Sequence, residues 1–320
     1  MDVLFVTNKP NYCHKKFAES LKARFYYIRH YFPDGVKTLS LPVNGWINSL
    51  LLPGADVYFA ESIIDYYPIY YKNPQGKKII LIAEDTLFKL DKMSGFKRKF
   101  LLKMFNHADG FITISDLCKQ MLLKYTKKSC RVAYPFPHEN FSDIKADITT
   151  KSIMFIGRED LTKGYLKLVE AVRLLRKTDG DWKLYLVGSC GERVNKEPGI
   201  IPLGFVKNMK PYLEKSSILV HPADFDPCPA TIFEAMQAGI IPIISNNIGQ
   251  TKLFNDLGLD FLILKNTESQ TIATKIMDVY KRDKVKISRK VKEISSKFIE
   301  EKRIKMFKKE FSLLLNDLGV

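Results

Sequence analysis

The chain has 320 residues, enough for two domains of ordinary size. Its 46% hydrophobic content excludes global disorder, and no apolar run approaches the roughly 20 residues that span a bilayer. A net charge of +16 asks for anionic partners, with nucleic acid, acidic lipid and a phosphorylated substrate as the candidate classes.

The opening MDVLFVTNKP reads as a buried strand and a turn, without the basic region or cleavage site of a signal peptide. Cysteines 13, 118, 130, 190 and 228 are scattered, and no pair has metal-ligand or redox spacing. Reduced thiols in a cytoplasmic protein are the expectation. Strands are expected at Val3–Thr7, Ala55–Ala60, Lys78–Ala83, Gly110–Ile114 and Cys130–Ala133. Helices are expected at His14–Lys22, Phe96–Phe105 and Leu117–Tyr125. The runs VLFV, IILIA and GFITI are apolar throughout, as parallel strands buried on both faces require.

Within that half, residues 96–105 interleave Lys97, Arg98, Lys99 and Lys103 with Phe96, Phe100, Leu101, Leu102, Met104 and Phe105. Such a stretch is either a plain surface helix or a basic amphipathic helix resting on an anionic membrane. From Tyr134 to Thr150 the pattern breaks into a proline-rich, polar stretch that reads as a linker. The α/β alternation then restarts with SIMFIG, a helix over Gly164–Arg176, WKLYLVG, IIPLG, a helix over Met209–Lys215 and SILVH. The last forty residues are expected to be helical, with Ile294, Phe298, Ile304, Phe307 and Leu313 to Leu315 as the apolar stripe.

This pattern predicts an α/β fold of two Rossmann-like domains with a ligand cleft between them and a helical C-terminal tail. The expected boundaries are 1–145, 146–295 and 296–320, the last segment packing back on the first domain.

The most informative stretch is HPADFDPCPATIFEAMQAG, His221 to Gly239. Pro227 and Pro229 forbid a helix before that point, so Asp226 lies on a loop and Glu234 about one turn inside the helix that follows. The free amides at that helix start favour phosphate, and two carboxylates accept hydrogen bonds from sugar hydroxyls. A lone pair of acids eight apart has little specificity; a strand before it and IIPIIS after it raise the weight, because open parallel sheets bind ligands at strand carboxyl ends. Upstream, Gly157, Arg158, Lys163 and Gly164 follow a strand in the same way, and two cations there suit a diphosphate.

These motifs resemble, in order and across roughly residues 151–265, the nucleotide-sugar domain of GT-B-fold retaining glycosyltransferases of family four. The matching segments are Gly157, Arg158, Lys163 and Gly164, then Val187 to Gly191, then Pro202 to Val206. The last is Pro222, Asp226, Glu234, Ala235, Met236, Gly239, Pro242 and Ile243. The resemblance implies that Glu234 binds the ribose hydroxyls and that Asp226 contacts the donor sugar. It places Arg158 and Lys163 on the leaving diphosphate, with Gly157 and Gly188 also lining the donor. Amides near Pro229, Ala230 and Thr231 would touch the sugar or β-phosphate, and Phe205 and Val206 would lie against the base.

The chain departs from the family in four places. Asp226 replaces the usual glutamate. Gln250 replaces the second of two glycines. TNKPNYCHKK lacks the glycines of the loop after the first strand. The family's first-domain histidine is absent, and Glu84 or Asp85 stands near its place.

The expected activity is metal-independent, retaining transfer of a sugar from a nucleotide-diphosphate sugar to the hydroxyl of a glycan or lipid-linked acceptor. No cofactor and no nucleic acid are expected, and the location is cytoplasmic, with possible peripheral attachment to the membrane. Asp224-Phe-Asp226 spells a D-x-D metal signature, read here as coincidence. The competing readings are a non-catalytic nucleotide-sugar binder, motivated by the altered glycines, and a nucleic-acid binder, motivated by the charge.

Overall fold

The apolar runs become parallel strands for the reason their composition suggests: side chains on both faces are removed from water. The computed structural model describes residues 1–31, 37–93 and 95–320. Its first sheet has six strands: β1 Val3–Thr7, β2 Arg24–Tyr27, β3 Val57–Ala60, β4 Lys77–Ile82, β5 Gly110–Thr113 and β6 Ser129–Val132, in the order β2-β1-β3-β4-β5-β6. Its second has five: β7 Ser152–Ile156, β8 Lys183–Val187, β9 Ile200–Gly204, β10 Ile218–His221 and β11 Ile241–Ile244, in the order β11-β10-β7-β8-β9. Every pairing in both sheets is parallel. The strand order reverses between β1 and β3 in one sheet and between β7 and β10 in the other. Those two reversals open crevices at the strand carboxyl ends.

The chain divides into two compact units. The first comprises Met1–Pro135 with Glu300–Val320, the second Phe136–Ile299. The stretch after Pro135 has no helix or strand up to β7, as its prolines and polar residues suggest, yet it is packed rather than loose. Phe136, Phe141 and Ile144 are buried in the second unit, and the Phe141 amide donates to Gln237 Oε1 at 3.1 Å.

The helix Glu300–Asp317 belongs to the first unit. Phe307 is fully buried and stacks on Phe17 with ring centroids 4.2 Å apart. Phe311 meets Phe59 edge-on, and Arg131 forks onto the Asp317 carboxylate at 2.7–3.0 Å. Among the described residues no helix is long and apolar enough to cross a membrane.

Several elements lie outside the expected set, among them the helices Tyr67–Lys72, Thr251–Asp256 and Ser269–Lys281 and two further elements of the first unit. The helix Lys37–Leu51 carries Pro42 inside it, and the edge strand β2, RFYY, is only half-buried. Neither gives the pattern of a buried segment.

Phe307 is the ring on which the C-terminal helix depends. Phe307→Ala is expected to cost about 3–5 kcal/mol of first-unit stability in urea unfolding. A loss under about 1 kcal/mol would show that this helix is not part of the core.

Candidate active site

The second sheet builds its crevice from two loops, one after β7 and one after β10. The β7 loop is short and tightly held. Gly157 donates to Val187 O at 3.0 Å, and Gly188 donates to Gly204 O at 2.7 Å, so the ends of β7, β8 and β9 are drawn together. A Cβ on Gly188 would stand 2.3 Å from Gly157 O, and Gly188 has φ +96°; only glycine permits that approach. Gly164, at φ +76°, makes an equivalent approach to Pro222 O, where a Cβ would lie 2.1 Å away. That contact joins the β7 loop to the β10 loop.

Across the same junction lies an ion pair. Lys163 is buried at the end of a single helical turn, Leu161–Lys163, capped by Asp160. Its Nζ stands 2.8 Å from Asp226 Oδ2 and 3.4 Å from Phe225 O. His221 Nε2 lies 3.2 Å from the same carboxylate oxygen, and its ring stacks flat on Phe155 at 5.9 Å. Both contacts fall on Oδ2. The Asp226 backbone is held too, its amide donating to Asn247 O and its carbonyl accepting from Gly249. Burial pushes the Asp226 carboxyl up, but His221 and Lys163 outweigh it and hold it below its ordinary 3.8.

Glu234 has the opposite environment. It lies on the helix Ala230–Ala238, whose start is set by Pro229 at the N-cap and whose end is set by Gly239 in the left-handed region. No hydrogen bond or ion pair reaches the Glu234 carboxylate among the described residues. Burial, with Glu139 adding repulsion, pushes it up to about 7. A carboxylate desolvated without a partner costs stability, and that arrangement is common at functional sites.

No side chain caps this helix, although two unsatisfied polar atoms stand near its start. Thr231 Oγ1 and Gln250 Oε1 are buried without a hydrogen-bond partner, while Gln250 Nε2 donates to Pro229 O at 2.9 Å. Free helix amides, a free hydroxyl and a free amide oxygen together form a cradle for a polar ligand.

Arg158 is exposed at the end of β7, and Phe205, just past β9, is 78% exposed. Val206 beside it is half-buried. Asp224, the other acid of the D-x-D sequence, pairs with Lys167 at 2.8 Å, so each of the two aspartates has its own lysine. Among the described residues no three His, Cys, Asp or Glu side chains converge as a metal site.

The first sheet carries a polar cluster at its own reversal. Glu61, after β3, accepts from Thr7 Oγ1, from the Asn11 amide at 2.7 Å and contacts His14 Nδ1 at 2.9 Å. Asp65 accepts from the Asn8 amide at 3.0 Å and from Ser62 Oγ at 2.6 Å, and burial pushes it up to about 7. Glu84, after β4, is also pushed up by burial, and its Oε1 has no partner. Asp85 stands at the N-cap of the turn Thr86–Lys89 without a side-chain capping bond. Glu84 was legible as an acid at a strand end. Glu61, Asp65 and His14 were missed, although Glu61 and Asp65 follow an apolar strand in the same way.

Residues 150–282 match the family model described as Glycosyl transferases group 1. The second unit is a group 1 glycosyltransferase domain. The whole chain has the GT-B fold of solved glycosyltransferases. A sucrose-phosphate synthase from Thermosynechococcus elongatus superposes with TM-score 0.75 at 12% identity, over 99% of this chain and 100% of that one. A UDP-forming α,α-trehalose-phosphate synthase from Burkholderia xenovorans gives 0.76 at 11% identity, over 100% of both chains. The Anabaena HepE protein in complex with UDP-glucose gives 0.72 at 16% identity, over 98% of this chain and 99% of that one. No curated protein matches the chain by sequence. All the site residues after β7 and β10 lie inside the matched glycosyltransferase segment.

The two acids have opposite pH signatures. The native Glu234 carboxyl holds its proton from its ordinary 4.5 up to about 7, so its contribution to stability is lost as pH rises through that window. Glu234→Gln is therefore expected to raise the melting temperature at about pH 8 and leave it unchanged at about pH 4. Asp226 is depressed, so its contribution is present above 3.8 and lost as pH falls. Asp226→Asn removes the charge that Lys163 is paired with and should cost about 3–5 kcal/mol at neutral pH. Melting curves across that range check both, and a Glu234→Gln protein less stable than wild type at about pH 8 contradicts the assignment.

Proposed function

We propose that the protein is a retaining, metal-independent hexosyltransferase that moves a sugar from a nucleotide-diphosphate sugar to an acceptor hydroxyl. The observation that carries this reading is Glu234: unpaired and desolvated, it lies one turn into a helix at the sheet reversal of a group 1 glycosyltransferase domain. A ribose diol would supply the hydrogen-bond donors that this carboxylate lacks, and ligand binding would then offset the cost of its burial.

The other roles follow from chemistry and position. Phosphate oxygens suit the amides at Ala230 and Thr231 and the guanidinium of Arg158. Asp226, immobilised by Lys163 and His221, presents its Oδ1 to a hydroxyl of the donor sugar. Lys163 places a positive charge beside the scissile bond while its own desolvation is offset by Asp226. Gly157 and Gly188 permit close approach of the diphosphate, and the exposed ring of Phe205 with Val206 offers a face to the base. Glu84 and Asp85 are the acceptor-side candidates in the first unit.

In the reaction the bond from the anomeric carbon to the phosphate oxygen breaks and its electrons remain on the diphosphate. The acceptor oxygen bonds to that carbon on the face the phosphate leaves, and its proton passes to the departing phosphate oxygen. Charge grows on the diphosphate, so Arg158, Lys163 and the helix start contribute more in the transition state than in the ground state. The lysines already engaged by Asp224 and Asp226 supply the positive charge that a D-x-D site would take from a metal. A glycan or a lipid-linked acceptor fits this scheme, and the cations of residues 97–103 favour work at the cytoplasmic face of an anionic membrane.

A panel of nucleotide-diphosphate sugars should contain one donor that raises the melting temperature, with the shift lost in Glu234→Ala. The same donor should release its nucleoside diphosphate in the presence of EDTA and form a product of retained anomeric configuration by proton NMR. Turnover abolished by EDTA, or an inverted product, would overturn the corresponding part of the mechanism. No shift with any donor would overturn the function.

A further inference from the structure

The helix Ala230–Ala238 buries Ile232, Phe233 and every residue from Ala235 to Ala238. Ala230, Thr231 and Glu234 remain, within about 100° of arc, as its uncovered face. The start of that face is bordered by a side chain from the loop after β11. Gln250 is fully buried there and donates its Nε2 to Pro229 O at 2.9 Å. Its backbone is held as well. The segment before it pairs with Asp226: Asp226 N donates to Asn247 O at 3.3 Å, and Gly249 N donates to Asp226 O at 3.0 Å. The helix Thr251–Asp256 starts directly after it, and the Gln250 carbonyl accepts from the Phe254 amide at 2.9 Å. The carboxamide is therefore fixed by its own loop and by the cap of the neighbouring helix.

Only one end of that carboxamide is used. Among the described residues Gln250 Oε1 is buried with no hydrogen-bond partner, as is Thr231 Oγ1. A buried acceptor left bare weakens the fold, so its partner is sought in a ligand. A carboxamide oxygen only accepts, and the partner must carry an N–H or O–H. Ionised phosphates carry neither. The ribose of the proposed donor lies on Glu234, about 4.5 Å further along the helix than Thr231. The base of that donor lies past β9, at the opposite edge of the sheet from β11. Four strand spacings, roughly 19 Å, separate those edges. The part of a nucleotide sugar left to meet Gln250 is the sugar. The family pattern has glycine at this position, so the contact belongs to this chain and not to the pattern.

We propose that Gln250 is a specificity-determining residue whose Oε1 accepts a hydrogen bond from a hydroxyl or an acetamido N–H of the transferred sugar. This rests on the donor site proposed above and adds to it the group that selects among donors. A sugar without a hydrogen-bond donor at that point leaves the buried oxygen bare, and the site discriminates against it for that reason.

Isothermal titration calorimetry on the full-length protein tests it. The probes are UDP with UDP-glucose, UDP-galactose, UDP-N-acetylglucosamine and UDP-xylose, then GDP with GDP-mannose and ADP with ADP-glucose. Gln250→Met keeps the bulk and removes the oxygen. Gln250→Gly, tolerated at a helix N-cap, gives the same test should the first variant not fold. For the sugar nucleotide that wild type binds most tightly, both variants should lose about tenfold to a hundredfold in affinity. Affinity for the matching nucleoside diphosphate should be unchanged. The analogue whose affinity does not change on substitution lacks the recognised group: galactose tests the C4 hydroxyl, xylose the C6 hydroxyl and N-acetylglucosamine the C2 substituent. An equal loss for the sugar nucleotide and its diphosphate would overturn the sugar contact. Wild-type affinities in both variants would overturn any ligand role for Gln250 while leaving the donor site standing. No binding of any probe to wild type would overturn the donor site and this inference with it.

Discussion

The buried ion pair between Lys163 and Asp226 is the constraint on which the candidate site depends. It joins the loop after β7 to the loop after β10 across the reversal of the second sheet. Neither charge is tolerable there alone, since removing one partner of such a pair costs about 3–5 kcal/mol. The backbone contact of Gly164 with Pro222, which no side chain allows, holds the same two loops at the same distance. His221, stacked on Phe155, completes the setting of the carboxylate. The result is an acid whose position and ionisation are determined before any ligand arrives.

Glu234 stands a few residues away and is treated in the opposite manner. Its charge has no partner, and burial raises its carboxyl to about 7. The protein thus carries one satisfied carboxylate that shapes the site and one carboxylate without a charge partner. Thr231 Oγ1 and Gln250 Oε1, buried without partners at the same helix start, extend that unsatisfied surface. Stability is withheld at these atoms, a distribution expected where function rather than folding selects the residue.

Much of this was legible in the sequence because it is written in local patterns. The strands β1, β4, β5, β7, β10 and β11 are short apolar runs, and their alternation with helices implies parallel pairing. The helix at Ala230–Ala238 is bounded by Pro229 and Gly239, residues whose backbone limits act within a turn. What was not legible is what depends on distance along the chain. Lys163 and Asp226 are 63 positions apart, and as single residues they read as a phosphate ligand and a sugar ligand rather than as each other's partner. Gln250 read only as a missing glycine, whereas its amide bonds the carbonyl at the helix cap. In the first unit β2 was hidden by its half-exposed edge position, the helix Lys37–Leu51 by its internal proline, and the role of Glu61 by partners 47 to 54 residues away.

The central claim is that a nucleoside diphosphate lies in the second unit, with its ribose on Glu234 and its phosphates at the start of the helix Ala230–Ala238. A crystal structure with the nucleoside diphosphate released during turnover tests it most directly. The account predicts both ribose hydroxyls within hydrogen-bond distance of the Glu234 carboxylate, the phosphates against the amides of Ala230 and Thr231 and the guanidinium of Arg158, and the Lys163–Asp226 pair unbroken. A nucleotide bound elsewhere, or bound here with its ribose away from Glu234, would contradict it.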